Sequence, residues 1–261
     1  MNKILLYFCL LFSLSLNVYA DDYTQIIKDK NINIYLQKQT TFEYTKKLSN
    51  DLKKISFLTS QIKSINITIN LHNKQTISYS NLNPQSCEIG INYNLNQWNK
   101  TGDIFNSFYD ELLFNTLHEI GHCYLSRDAL LNDIQWIIPI SQEKKNQINK
   151  IIDESSNHIV RSCPTCSKEI IFNKTPLKIV YHEMYADTFA SYFLINLYNI
   201  DINPLINFRK NVFLKNNNSL YPTHFSIENI KIDKNNLQNP SNILEYNQKG
   251  FLLYLNKMEK I

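Results

Sequence analysis

Glycine is scarce in this chain, with four in 261 residues. Asn, Lys and Ile are abundant instead, a bias that reads as AT-rich coding rather than as a function. Net charge is scarce too. Lys+Arg 27 against Asp+Glu 23 leaves only +4, too weak a field to argue for nucleic acid or an acidic partner. Beyond the first twenty residues no stretch is long and apolar enough to span a bilayer. Cys163-Pro164-Thr165-Cys166 has no second C-x-x-C to complete a four-cysteine metal site. What is present is a hydrophobic fraction of 43%, with 12% aromatic residues. That suffices for a sizeable core in one large domain or two small ones.

Residues 1–20 read as a secretory signal peptide. Lys3 supplies the positive start, Ile4 to Leu16 the apolar run, and Val18-Tyr19-Ala20 the small-residue cleavage site before Asp21. The apolar run is shorter than the ~20 residues a membrane anchor needs. The mature chain is therefore expected to be secreted or periplasmic, without stable membrane insertion. Export leaves Cys87, Cys123, Cys163 and Cys166, an even number in an oxidising compartment. Structural disulfides are expected, with all three pairings open. A redox role for Cys163 and Cys166 is disfavoured, because the strand–motif–helix context of such a site is missing.

The chemistry is concentrated in Leu117-His118-Glu119-Ile120-Gly121-His122-Cys123. Two histidines four apart share one face of a helix, so both imidazoles can grip one Zn²⁺ at ~2.0–2.1 Å. Glu119 is placed to take the proton of a water whose pKa the metal lowers to about 7. This is the H-E-x-x-H arrangement of a zinc hydrolase. The neighbouring residues are uncharged, as a buried helix requires. Gly121, poor in helix propensity by ~1 kcal/mol against Ala, points to tight packing at that position. Cys123 faces differently from His118 and reads as a core or disulfide residue.

The pattern around this motif alternates strands and helices. Residues 31–37 alternate as a strand, and Thr41 to Ser64 carries a helical stripe of Phe42, Leu48, Leu52, Ile55, Leu58 and Ile62. Residues 65–71, 76–80 and 87–94 read as strands. Asp103 or Ser107 is the candidate cap of the H-E-x-x-H helix. Residues 126–176 form an uneven insertion, read as a lid or side lobe. Leu177 to Tyr198 is helical throughout, and residues 203–261 are helical with a break near Asn216-Asn217-Asn218.

A catalytic zinc needs a third protein ligand. Tyr181-His182-Glu183-Met184-Tyr185-Ala186-Asp187 offers one. Glu183 and Asp187 share a helix face, so Glu183 can complete the site while Asp187 receives the outer N–H of a ligand histidine. Small Ala186 and Ala190 would let this helix approach the first closely. His182 points elsewhere and reads as a packing residue.

The element order and H-E-x-x-H resemble the zincin metallopeptidases over roughly residues 30 to 200. The E-x-x-A-D-x-F-A spelling from Glu183 is similar to their gluzincin branch. The resemblance implies an α+β fold spanning 21–261, with a twisted, mostly amino-terminal sheet backed by helices and a helical carboxy-terminal part. It implies Zn²⁺ on His118, His122 and Glu183, with Asp187 behind a histidine. It also implies that Glu88 to Asn94 edges the cleft and pairs with an extended substrate by strand addition. Tyr221-Pro222-Thr223-His224 resembles a T-H-P segment, with Phe225 in place of the proline. By that likeness His224 or Tyr221 donates to the oxyanion of the tetrahedral intermediate.

The expected function is an exported zinc metallopeptidase acting on protein or peptide substrates, with Glu119 as general base. One alternative is a metzincin-type site, in which Asp128 is the third ligand and the chain turns sharply at Leu125. Another is a non-enzymatic binding protein on the same scaffold.

Overall fold

The structure is a computed structural model that describes residues 23–29, 32–37, 42–54, 65–70, 72–83, 86–94, 104–105, 107–125, 134–156, 177–215, 222–231 and 241–258. Residues 1–20, Asp128, Cys163, Cys166 and Tyr221 lie outside the described residues. The chain divides into two compact units, Met1–Thr101 and Gly102–Ile261. Strands occur in the first and helices dominate the second, an α+β composition.

The first unit is a five-stranded sheet of order β1-β2-β3-β5-β4. Its strands are β1 (Tyr23–Asp29), β2 (Ile32–Gln37), β3 (Ile65–Asn70), β4 (His72–Asn83) and β5 (Ser86–Asn94). β2, β3 and β5 run parallel, with Ile34 opposite Ile67 and Ile67 opposite Ile89. β1 and β4 are antiparallel to their neighbours and stand at the two ends of the order. Within residues 87–91, Cys87, Ile89 and Ile91 are buried on one face, while on the other Glu88 is exposed and Gly90 is buried. Cys87 is disulfide-bonded. The helix α1 (Phe42–Lys54) joins β2 to β3 and buries Leu48 and Leu52, four apart on one face.

Two expectations for this unit need correcting. β5 is not an edge strand, because β3 and β4 occupy its two sides. Its ladder partners are already made, so Glu88 to Asn94 has no free edge to offer an extended peptide. β1 was not expected at all. Its adjacent Ile26 and Ile27 break the two-residue period, and the register shifts there, between Gln25 and Ile27.

The second unit is built on α2 (Phe108–Tyr124) and α4 (Leu177–Asn196). Ser107 starts α2 as expected, its Oγ accepting from Asp110 N–H at 3.1 Å. Around them lie α3 (Gln142–Ser156), α5 (Asn203–Lys215), the short α6 (His224–Ile227) and α7 (Ser241–Lys257). The described part of 126–176 contributes Ile134, Ile148 and Ile152 to a core with Val180, Met184 and Phe251. α4 ends in a turn where Asn199 has φ 55°, a left-handed conformation that asparagine tolerates. Ile200 N–H closes that turn on the Leu194 carbonyl at 2.9 Å.

A buried glutamine fastens residues 135–138 to α7. Gln248 accepts from Ile137 N–H at 2.9 Å and Ile138 N–H at 3.3 Å, and donates to the Gln135 carbonyl at 2.7 Å. A buried backbone group that loses such a partner costs about 1–3 kcal/mol. Of the three residues only Ile138 is buried, so Gln248→Leu is expected to lower the unfolding free energy by about 1–3 kcal/mol. An unchanged urea midpoint would show that water replaces the amide without cost.

Candidate metal centre

Packing between α2 and α4 positions every group of the site. A Cβ added at Gly121 would stand 2.9 Å from the Ala186 Cα and 3.1 Å from the Phe189 Cβ. Only glycine allows this approach, as expected from its presence in a helix. His118 and His122 flank Gly121 on α2, and Glu183 and Asp187 flank Ala186 on α4. The two short sequence motifs therefore meet across one backbone contact.

The three candidate ligands converge. His118 Nε2 lies 3.1 Å from His122 Nε2 and 3.5 Å from Glu183 Oε2, and His122 Nε2 lies 3.7 Å from Glu183 Oε1. Two atoms each ~2.05 Å from a tetrahedral Zn²⁺ stand ~3.3 Å apart. The observed separations bracket that value, so this donor set fits a tetrahedral cation with small adjustments. Two imidazoles and a carboxylate are also the donor chemistry of a catalytic rather than a structural zinc. The side chains of His118, His122 and Glu183 are partly exposed among the described residues. Glu119, one residue after His118, is buried.

Asp187 takes the role expected of it. It is fully buried, and its Oδ1 accepts from His118 Nδ1 at 2.7 Å. That bond puts the imidazole proton on Nδ1 and leaves Nε2 facing the other ligands. Arg209 on α5 completes the carboxylate, with Nε donating to Oδ2 at 2.8 Å and Nη2 to Oδ1 at 3.1 Å. Arg209 stands outside both sequence motifs, and no local pattern marks it as part of the site. Its one distinction is rarity, since the lysine-rich chain contains only Arg127, Arg161 and Arg209 as arginines.

These contacts set the charges. Burial would lower the His118 pKa, but hydrogen bonds and charge from Asp187 and Glu183 override it and push the value up to about 10. Burial and the neighbouring His118 charge push His122 down to about 4. Burial would raise the Glu183 carboxyl, yet the two histidines hold it below its ordinary value. Asp187 is likewise held well below the carboxylate range, burial being outweighed by the Arg209 charge and the His118 bond. The buried Thr223 hydroxyl contributes least there and is outside hydrogen-bonding geometry.

His182 and His224 are the remaining histidine candidates. His182 is buried beside His122, its ring nearly parallel at 6.3 Å and its Nε2 unpartnered. Burial and the His122 charge push it down to about 3. It packs rather than joining the trio. His224 on α6 packs against Phe213 and Phe225, and its buried Nδ1 has no partner. Among the described residues, the only group of three or more His, Cys, Asp or Glu side chains that could hold a metal ion is His118, His122 and Glu183. Leu125 ends α2 at φ −74°, without a left-handed turn. Cys123 is buried and disulfide-bonded, consistent with a structural role. Comparisons of the chain with protein families, curated proteins and solved structures find no match.

Two outcomes follow from this geometry. Without a cation, His118 carries a second proton across neutral pH, hydrogen-bonded within the trio. Its folded pKa lies above the ordinary 6.5, so this arrangement stabilises the metal-free fold fully below pH 6.5. The contribution is lost as pH rises through about 10. Zinc must displace that proton, so uptake near neutral pH should release about one proton per metal. Calorimetry in buffers of different ionisation enthalpy reads this directly, and equal heats would show His118 neutral beforehand. Separately, Gly121→Ala should destabilise by ~1–3 kcal/mol through overpacking, despite alanine's higher helix propensity. Urea unfolding as late as the parent's would mean α2 and α4 can separate freely.

Proposed function

We propose that this chain is an exported, zincin-like zinc metallopeptidase that hydrolyses peptide bonds, with His118, His122 and Glu183 as metal ligands. The observation that carries the proposal is the convergence of two imidazole nitrogens and one carboxylate from two distant segments, with the nitrogens 3.1 Å apart and 3.5 and 3.7 Å from the two Glu183 oxygens. When bound, Zn²⁺ supplies Lewis acidity and lowers the pKa of a water to about 7. The chain supplies the rest.

His118 and His122 present Nε2 lone pairs, and Asp187 holds His118 in the tautomer that makes this possible. Glu119 follows His118 directly on the helix and is buried. In this scheme its carboxylate accepts a proton from the attacking water and passes it to the departing amine. In the same scheme the substrate approaches the partly exposed trio. Export rests on the amino-terminal signal pattern, and the substrate is a protein or peptide. No contact among the described residues joins His224 to the trio, and the scheme does not use it.

Glu119→Gln separates base from ligand. The variant should bind zinc as the parent does while hydrolysis of a quenched fluorescent peptide library falls ~10²–10⁴-fold. Undiminished turnover by a zinc-loaded Glu119→Gln protein would sink the mechanism. A parent chain that binds zinc yet cleaves nothing would favour a binding protein on this scaffold.

A further inference from the structure

We propose that Arg209 is a positioning residue of this centre, acting on His118 through Asp187. The inference deepens the zinc proposal above and rests on it. Asp187 is wholly buried, and its two oxygens receive three N–H groups. Oδ1 accepts from His118 Nδ1 at 2.7 Å and from Arg209 Nη2 at 3.1 Å, while Oδ2 accepts from Arg209 Nε at 2.8 Å. In this arrangement both oxygens serve as acceptors.

The arrangement matters because a buried carboxyl and an imidazole can share a proton in two ways. Without the guanidinium, a protonated Asp187 could point an O–H from Oδ1 at His118 Nδ1. The imidazole N–H would then sit on Nε2, the atom that faces His122 and Glu183. That tautomer has no lone pair for a cation. Arg209 disfavours this arrangement, because its planar fork fixes the carboxyl group and its charge beside both oxygens favours the ionised carboxylate as acceptor. The guanidinium stays charged, and its planar fork matches both oxygens, which a lysine ammonium cannot do. Arg209 therefore selects Nε2 as the ligand atom of His118.

The fold delivers the group without a direct link to the ligands. α5 follows the turn at Asn199, and Arg209 reaches a carboxylate 22 residues earlier in the chain. The side chain is almost fully buried, so the ion pair is shielded from solvent. Such partners behind a ligand typically matter ~10–100-fold in metal affinity.

The test is a double-mutant cycle on zinc affinity, measured by chelator competition on the purified full chain. The four proteins are the parent, Asp187→Asn, Arg209→Met and the double variant, each shown to be folded by circular dichroism at the temperature used. Arg209→Met should weaken zinc binding ~10–100-fold. In the Asp187→Asn background the same change should cost less than about threefold, the non-additivity of groups that act as a unit. Arg209→Lys, which keeps the charge but not the fork, should recover part of the loss. Should Arg209→Met fail to fold, Arg209→Lys takes its place in the cycle with the same two readings.

A folded Arg209 variant that binds zinc like the parent overturns the assignment. So does an equal loss in both backgrounds, which would mean that Arg209 acts independently of Asp187. A parent chain that binds no zinc overturns the metal proposal itself. Tight binding by the parent with additive losses overturns only the role of Arg209.

Discussion

The close approach of α2 and α4 at Gly121 and Ala186 is the constraint on which the candidate centre depends. A Cβ at position 121 would come within 2.9 Å of backbone, so the helices meet nearly main chain to main chain. Gly121 stands three residues after His118 and one before His122. Ala186 stands in the same relation to Glu183 and Asp187. A single contact therefore sets two pairs of functional groups opposite each other. With bulkier residues at this crossing, the helices would stand too far apart for a carboxylate of α4 to share one cation with imidazoles of α2.

Charge is managed around that contact by alternation of sign. Glu183 faces His118 and His122, Asp187 stands behind His118, and Arg209 stands behind Asp187. A fully buried carboxylate would otherwise be costly, since desolvation is only offset by well-placed donors. Asp187 has three such donors. The trio itself is less deeply buried, and its groups retain partial exposure. Satisfied polar partners thus lie behind His118, while His118, His122 and Glu183 remain partly accessible.

Several elements were legible because their signals are local. His118 and His122 recur at helical spacing, Ser107 has the side chain of a cap, and Leu48 and Leu52 mark one face of a helix. Residues 65–70 and 87–94 alternate cleanly, and burial of Ile67, Ile89 and Ile91 follows that alternation. β1 was not legible, because paired isoleucines at a bulge break the period. The place of β5 was misjudged for a different reason. Alternation reports which face of a strand is buried and says nothing of which strands lie beside it. A long connection between β3 and β5 is occupied by β4, which returns antiparallel along β5 and takes the end position.

The amino-acid sequence by itself determined the helix that carries His118, Glu119 and His122, the second helix with Glu183 and Asp187, and the kind of chemistry these donors permit. Those properties depend on residue type and on a spacing of three or four positions, which helical geometry converts directly into direction. Only the tertiary structure decided that the two helices touch at Gly121, that β5 is enclosed by its neighbours, and that Arg209 is the partner of Asp187. Each of these joins residues far apart in the chain, through packing and buried charge pairing that no local pattern encodes.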